Sequence, residues 1–325
     1  MLEPIISVRD LVADYEVREG NLRVVDHVSL DIPRGRVTGL IGESGCGKTS
    51  FIEALFDLMP RNGYIRGGQV LFDGREDILK MTPEERRRLR WEKIAMVFQA
   101  AQNSLNPVMR IKEQMVDAIQ AHRKMSVQQA LERVYETLEL VHLLPEQITK
   151  SYPHELSGGM KQRVIIAMSL LLEPEMLFLD EPTTALDLIT QAYLMETLME
   201  IHERLGVTMM VVTHDIANVA RLADRLMIMY AGKIVEIGEI EEVFHSPKHP
   251  YTAGLINATP SIVGDLSQKK PIPGVPPSLL HPPPGCRFAP RCAYAQERCS
   301  EVELPLEEIG PDRQVACHRW KEVMG

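Results

Sequence analysis

The chain has 325 residues, enough for one large domain with an appendage or for two modest domains. Its composition, 45% hydrophobic and 25% charged, is typical of a soluble globular protein, and a net charge of -9 argues against a nonspecific grip on nucleic acid or anionic lipid. The N-terminal residues show no secretory signal, and no apolar run approaches the roughly 18 residues of a membrane-spanning helix. These features predict a cytosolic protein that binds no nucleic acid.

The alternation of apolar runs and turns predicts an α/β protein with a parallel sheet. A buried strand at Val37–Ile41 would lead straight into a glycine-rich loop, and Ser126 is a plausible N-cap for a later helix. The predicted strands lie within residues 5–41, 176–180 and 208–214, and the predicted helices within residues 84–93 and 126–144.

Residues 42–49, GESGCGKT, fit the phosphate-loop pattern G-x-x-x-x-G-K-[ST]. Glycines in such a loop let backbone N–H groups converge on phosphate oxygens. Lys48 would add positive charge at the β- and γ-phosphates, and Thr49 would offer its hydroxyl to Mg²⁺. Cys46 is expected to be a small side chain in a tight turn. The predicted nucleotide-binding residues here are Gly42, Ser44, Gly45, Cys46, Gly47, Lys48, Thr49 and Ser50.

An acidic pair follows the predicted strand at residues 176–180. The apolar run places Asp180 at the carboxyl end of that strand, where α/β sheets bind ligands, so Asp180 is a candidate magnesium ligand. Glu181 comes next and could orient and deprotonate an attacking water. Taken alone, Glu181 could equally be a surface acid at a strand end.

The segment LSGGM at residues 156–160 predicts a second anion site. Ser157 can cap a helix that begins near Gly158, and Gly158 and Gly159 would expose N–H groups at its positive end. One copy of the chain needs only one binding site for the γ-phosphate. In a pair of copies, however, each copy could complete the other's site. The alternative is a simple turn before a core helix.

Three motifs stand in a characteristic order: GESGCGKT at residues 42–49, LSGGM at 156–160 and LDEP at 179–182. In these motifs and their placement, residues 5–245 resemble the cassette of ABC-type ATPases. The resemblance implies an ABC-type P-loop ATPase of the α/β class with a RecA-like parallel-sheet core, an N-terminal antiparallel β subdomain and a helical subdomain. It implies a cassette over residues 1–245, with the helical subdomain at about 99–165, that uses ATP and Mg²⁺.

The resemblance also implies roles for four residues outside these motifs. Gln99, in MVFQ, matches the Q-loop glutamine that contacts Mg²⁺ and faces the transmembrane subunits. His214, in VVTHD, matches the switch histidine that senses the γ-phosphate, and Asp187, in ALD, belongs to the D-loop. Tyr15 stands where the family places an aromatic ring against adenine. Catalysis would depend on Glu181, Gln99 and His214.

The segments SLNPV, SPKHPYTAGLINATP, PIPGVPP and GCRFAPRC resemble ATP-binding subunits of oligopeptide/dipeptide permeases, and the nickel-importer branch is similar. The resemblance implies an importer subunit at the cytoplasmic face of the membrane. Its partners would be a second ATPase subunit, identical or different, two transmembrane permease subunits that dock at roughly residues 99–155, and an extracytoplasmic substrate-binding protein. The cargo stays open. A soluble ABC ATPase of ribosomes or DNA is the alternative, and Glu181 argues against a nonhydrolysing subunit.

Four of the five cysteines lie in the predicted C-terminal extension, residues 246–325, after a proline-rich connector at 271–290. A reducing cytosol disfavours disulfides, so a metal site is expected. The spacing C-x5-C-x6-C-x17-C has no C-x-x-C pair, but four thiolates suffice for Zn²⁺ or a [4Fe–4S] cluster. The resemblance implies the cluster; zinc, reduced thiols and a disulfide stay open, and His318 could replace one thiolate. The predicted ligands are Cys286, Cys292, Cys299 and Cys317.

Overall fold

The computed structural model describes residues 3–258 and 271–323. The strands are β1 (Pro4–Val17), β2 (Gly20–Pro33), β3 (Val37–Ile41), β4 (Gly63–Phe72), β5 (Glu76–Asp77), β6 (Ile94–Val97), β7 (Met176–Asp180), β8 (Thr208–Thr213), β9 (Arg225–Tyr230), β10 (Lys233–Glu239), β11 (Glu307–Gly310) and β12 (Arg313–Val315).

The helices are mostly short, and none in the described ranges is long and apolar enough to cross a membrane. They are α1 (Lys48–Leu55), α2 (Pro83–Glu92), α3 (Ile111–Gln120), α4 (Val127–Leu140), α5 (Pro145–Ile148), α6 (Gly158–Leu170), α7 (Leu188–Leu205), α8 (Ile216–Ala220), α9 (Ile240–His245), α10 (Pro250–Ala258) and α11 (Glu297–Glu301). The chain divides into two compact units. The first comprises Met1–Arg34, Thr38–Lys80 and Thr213–Gly325, and the second Gly35–Val37 and Met81–Val212.

The first unit contains an antiparallel sheet in the order β2-β1-β4-β5. It also contains the strand that carries the glycine-rich loop: β3 is buried at every position and pairs in parallel with β9. β10 continues antiparallel to β9, β12 pairs with β10, and β11 pairs with β12. Residues near the C-terminus therefore extend the same run of strands that begins with β3.

The second unit is built on the parallel strands β6, β7 and β8, of which the sequence predicts β7 and β8. β7 and β8 are buried at every position, which explains why their sequences are continuous apolar runs rather than alternating ones. The predicted helix after Ser126 is α4. The Ser126 hydroxyl accepts a hydrogen bond from the Gln129 backbone N–H, which confirms the predicted N-cap.

Aromatic side chains hold the C-terminal residues of the first unit against β9. The ring of Tyr230, the last residue of β9, lies 4.5 Å from that of Tyr251 in α10 and 5.2 Å from that of Phe288. All three residues are buried. Their packing removes apolar surface from water that the proline-rich stretch before Phe288 could not bury by itself.

Asp26 on β2 is the centre of a second anchor for these residues. Its carboxylate lies 2.5 Å from the Arg287 guanidinium, 3.0 Å from the Lys233 ammonium and 3.4 Å from Arg23. Burial opposes ionisation of Asp26, but the three cations outweigh burial and lower its pKa below the usual value. The folded state therefore favours the charged carboxylate, and Asp26 stabilises the fold as an anion.

Replacing Asp26 with Asn should lower the free energy of unfolding by about 3 kcal/mol at pH 7, because buried Arg287 loses its counter-charge. Since the folded pKa of Asp26 is depressed, its contribution is complete above about pH 4 and is lost as the pH falls through the folded pKa. The difference between the two proteins in urea unfolding should therefore narrow below about pH 4.

The matched control is Asp31→Asn, on the same strand. Asp31 pairs with Arg9, and both side chains are 47% exposed. This pair should contribute less than about 1 kcal/mol at any pH. Equal losses of stability for the two variants would contradict the assignment.

Candidate nucleotide site and cysteine cavity

The phosphate loop, residues 42–49, connects β3 to α1 and leaves no room for side chains at two of its glycines. A Cβ at Gly42 would lie 2.2 Å from the Met229 carbonyl oxygen, and one at Gly47 would lie 2.2 Å from the Val24 carbonyl oxygen. Gly47 also has φ 107°, a left-handed conformation that glycine adopts at little cost. The loop backbone is thus clamped between β9 and β2.

Lys48 points back into this loop. Its buried Nζ donates to the carbonyl oxygens of Gly42, at 2.7 Å, and Glu43, at 3.1 Å. An ammonium has three donors, so the geometry fits an anion that accepts from the donor not used by these two oxygens. Ser44, Gly45 and Thr49 are exposed, so a ligand can reach them.

Cys46 within the loop and Tyr15 beside it both carry polar hydrogens. Cys46 is buried, and burial raises the pKa of its thiol, so it stays neutral and acts as the small side chain that the sequence predicts. The Tyr15 hydroxyl donates to Glu53 at 3.0 Å and lies 3.2 Å from the Ser50 hydroxyl. Desolvation raises the Tyr15 pKa, so the phenol is neutral. These bonds place Tyr15 beside the first turn of α1.

In the second unit, β7 ends at Asp180, which is 2% exposed. Glu181 follows with φ 49°, a left-handed conformation that is costly for a non-glycine residue, and its N–H donates to the Val212 carbonyl at 2.8 Å. Its carboxylate accepts a hydrogen bond from the Thr184 hydroxyl at 3.3 Å. Gln99 follows β6 and is exposed; His214, which follows β8 in the chain, is exposed in the first unit.

The signature segment, residues 156–160, stands at the N-terminus of α6. The Ser157 hydroxyl accepts from the Met160 N–H at 3.3 Å, which confirms the predicted cap. Ser157 and Gly158 are exposed. Asp187 caps α7, accepting from the Thr190 N–H at 3.0 Å and the Thr190 hydroxyl at 2.7 Å.

Thr190 in turn packs on the signature segment. A Cβ at Gly159 would lie 2.6 Å from the Thr190 methyl carbon. The structure therefore brings the predicted D-loop residue Asp187 and the predicted signature glycine Gly159 together through a residue that no motif includes.

The four C-terminal cysteines line one cavity, part of which is continuous with solvent. Backbone N–H groups point at two of the sulfurs: that of Tyr294 at Cys292 and that of Arg319 at Cys317, both at 3.4 Å. Burial raises the thiol pKa values of Cys286, Cys292 and Cys317, the last to about 12. The other residues lining this cysteine cavity include His249, Phe288, Tyr294 and His318.

Within residues 3–258 and 271–323, no group of three or more His, Cys, Asp or Glu side chains is arranged to hold a metal ion. The predicted cysteines are therefore gathered, as expected, but a single-ion site is not formed by the side chains as they stand. All four are free thiols.

Two family models match the chain, one over the region of the phosphate loop and one towards the C-terminus. The ABC transporter family model matches residues 25–184, and the model of the oligopeptide/dipeptide transporter C-terminal region matches residues 235–299. The dipeptide transport ATP-binding protein DppD of Caldanaerobacter subterraneus subsp. tengcongensis is 48% identical over 98% of both chains. The chain belongs to the ABC transporter family.

Another relative and one solved structure also support membership of the ABC transporter family. The oligopeptide transport ATP-binding protein OppD of Escherichia coli is 42% identical over 99% of this chain and 95% of that protein. A dimeric post-hydrolysis structure of the ATP-binding cassette MJ0796 with ADP and Pi is 30% identical, with a TM-score of 0.64, over 72% of this chain and 98% of that one. The predicted fold class and ATPase activity are thereby confirmed.

Two residues of the ABC cassette's phosphate-loop environment lie outside the predicted site. Arg291 forms a bidentate pair with Glu43, and the Tyr251 hydroxyl accepts a hydrogen bond from the Glu43 N–H. Glu43 occupies an unspecified position of the loop pattern, so the pattern assigns it no role. Arg291 lies between two of the cysteines, in GCRFAPRC. Its positive charge is the only feature of the sequence that would indicate an acidic partner.

Replacing Gly47 with Ala should weaken ATP binding at least tenfold, since the new Cβ meets a backbone carbonyl and the loop must move. Gly45→Ala is the matched control, because Gly45 also has positive φ, 77°, but a Cβ there meets nothing within 4 Å. The affinity of that variant for ATP should fall a few-fold at most. Fluorescence titration with an ATP analogue measures both, and equal affinities would refute the packing argument.

Proposed function

We propose that this chain is the ATP-binding and hydrolysing subunit of an importer of oligopeptides or dipeptides. The observation that carries the proposal is the similarity over 98% of both chains to a dipeptide transport ATP-binding protein, which includes the C-terminal region as well as the cassette. The proposed cassette spans residues 1–245, with a helical subdomain at about 99–165 and an extension at 246–325. The nickel-importer branch and a soluble, ribosome- or DNA-associated ATPase are the alternatives.

In the proposed reaction, the phosphate loop binds the triphosphate and Lys48 neutralises its β- and γ-phosphates. Thr49, Gln99 and Asp180 are proposed to hold Mg²⁺, which supplies charge neutralisation at the transferred phosphoryl group when bound. Glu181 orients the attacking water and accepts its proton. We assign His214 to sensing the γ-phosphate and Tyr15 to stacking on the adenine.

A second ATPase subunit is proposed to complete the site. Ser157, Gly158 and Gly159 would offer the N-terminus of α6 to the γ-phosphate bound by the partner. The exposed start of α6 supports this role. Leu188 and Ile189, directly after Asp187, are more than 80% exposed, and adjacent apolar residues so open to water favour an interface there.

We propose that permease subunits dock near Gln99, which would hold the chain at the cytoplasmic face of the membrane. Four apolar residues in or beside the predicted docking region are exposed: Phe98 by 45%, Val108 by 80%, Val127 by 56% and Leu144 by 69%. A hydrogen-bonded loop presents Val108, since Gln114 accepts from the Asn106 N–H at 2.8 Å. An extracytoplasmic binding protein would deliver the cargo. Co-purification with two hydrophobic subunits tests this; sedimentation with ribosomes would support the soluble alternative.

Glu181→Gln should reduce ATP turnover at least a hundredfold and leave ATP affinity within about threefold, because the amide keeps the shape but cannot accept a proton. The two subunits should then stay closed on ATP, and a dimer should accumulate on gel filtration with Mg²⁺ and ATP. Glu203→Gln, at an exposed position on α7, is the control and should turn over normally. Turnover at the parental rate in Glu181→Gln would exclude Glu181 as the base.

For the cysteine cavity we propose a [4Fe–4S] cluster with a structural role. Four cysteines line this cavity, and four thiolates are the ligands that a [4Fe–4S] cluster requires. The N–H groups directed at Cys292 and Cys317 would stabilise cluster-bound thiolates. Bound cations would also offset the burial that raises the thiol pKa values.

Anaerobically purified protein should contain about four iron atoms per chain and show broad visible absorption. Cys292→Ser should lose the iron, because one ligand of the cluster is removed. Cys46→Ser is the matched control: Cys46 is the one cysteine outside the cavity, in the phosphate loop, and its loss should leave the iron content unchanged. One zinc per chain in a colourless protein would contradict the cluster.

A further inference from the structure

The phosphate loop is held by residues more than 200 positions away in the chain. The Arg291 guanidinium forms a bidentate pair with the Glu43 carboxylate, Nη1 to Oε2 at 2.7 Å and Nη2 to Oε1 at 2.9 Å. The Tyr251 hydroxyl accepts from the Glu43 N–H at 2.8 Å. Both the side chain and the backbone of one loop residue are thus bound by the C-terminal part of the first unit.

Arg291 is itself fixed in place. Its Nε donates to the Pro273 carbonyl at 2.8 Å, and its Nη1 donates to the Tyr230 hydroxyl at 3.2 Å. The side chain is 5% exposed, against 25% for that of Glu43. A planar guanidinium with this many partners has one orientation, so it determines where the Glu43 carboxylate lies.

We propose that Arg291 and Tyr251 are positioning residues for ATP binding: Arg291 neutralises the Glu43 carboxylate beside the triphosphate, and Tyr251 orients the Glu43 peptide within the phosphate loop. The proposal rests on the ATP site described above. A carboxylate in a loop that binds a polyanion repels the ligand unless a cation compensates it. The fixed Arg291 supplies that cation without occupying the phosphate site.

The short turn that carries Arg291 ties this arrangement to the cysteine cavity. A 3₁₀ turn at Ala289–Arg291 separates Cys286 from Cys292, and the Arg291 N–H donates to the Phe288 carbonyl at 2.9 Å. The backbone of Arg291 is therefore determined by the same few residues that carry two of the cavity thiols. The C-terminal residues form part of the frame of the ATP site.

The same region supplies a matched control. Arg313, 6% exposed, pairs with the fully buried Glu236 at 2.5 Å. It resembles the Arg291 pair in burial and chemistry, but Arg313 bonds to β10 and to the Ser246 carbonyl. Any loss of general stability should therefore be common to Arg291→Met and Arg313→Met, whereas a loss of ATP affinity should be specific to Arg291→Met.

The test is the steady-state ATPase rate of the full chain. Arg291→Met should raise the KM for ATP about tenfold and change kcat less than about twofold, while Arg313→Met should leave KM within about twofold. Arg291→Lys should restore part of the affinity, because it returns the charge without the bidentate geometry. In a Glu43→Gln background, Arg291→Met should raise KM less than about threefold, since no carboxylate is then uncompensated.

An unchanged KM in Arg291→Met, an equal rise in Arg313→Met, or the same tenfold rise in the Glu43→Gln background would each overturn the proposal. If Arg291→Met fails to fold, Tyr251→Phe and Arg291→Lys decide the matter, because each keeps most of the packing and should still raise KM. Absence of ATP hydrolysis in the parent protein would instead refute the proposed function.

Discussion

The structure depends on the close passage of the phosphate-loop backbone between two strands. Gly42 approaches a carbonyl of β9 and Gly47 approaches a carbonyl of β2, and neither has room for a Cβ. This packing restricts the short turn between β3 and α1 to one backbone conformation. Within that turn the Lys48 ammonium donates to the carbonyl oxygens of Gly42 and Glu43. The loop can bind phosphate because its backbone is immobilised before any ligand arrives.

The C-terminal residues of the first unit belong to that immobilising frame. β12 pairs with β10, Arg287 binds Asp26 on β2, and the Tyr230–Tyr251–Phe288 cluster packs against the end of β9. These contacts join the same strands that clamp the loop. A tail with few apolar residues is thus held by buried ion pairs and aromatic packing, and the cysteines would add metal–thiolate bonds under the proposal made above.

Local patterns were enough to predict the elements on which the proposed nucleotide site is built. A buried strand, glycines at fixed spacing and a following helix are short-range features, so the phosphate loop, β7 with Asp180, and the Ser157 cap could all be read from contiguous residues. The gathering of the four cysteines was also predictable from their residue type and from their clustering towards the end of the sequence. What binds to them depends on distances between sulfurs, which spacing along the chain does not determine.

Long-range contacts could not be predicted in this way. Glu43 and Arg291 are 248 positions apart, and either one alone is an ordinary charged residue. Thr190 likewise gains its significance only because it packs on Gly159. The left-handed backbone of Glu181 is also invisible in the sequence, because glutamate rarely adopts it and tertiary packing imposes it.

Hydrogen–deuterium exchange of the full chain, with and without a non-hydrolysable ATP analogue and Mg²⁺, tests whether the phosphate loop binds ATP and whether a second copy completes the site. We expect slower exchange of the amides in residues 42–49 at any protein concentration, and in residues 157–160 only at concentrations where two copies associate. Protection of both segments independent of protein concentration would contradict completion of the site by a second subunit. No protection of residues 42–49 at saturating nucleotide would contradict the assignment of the phosphate loop itself.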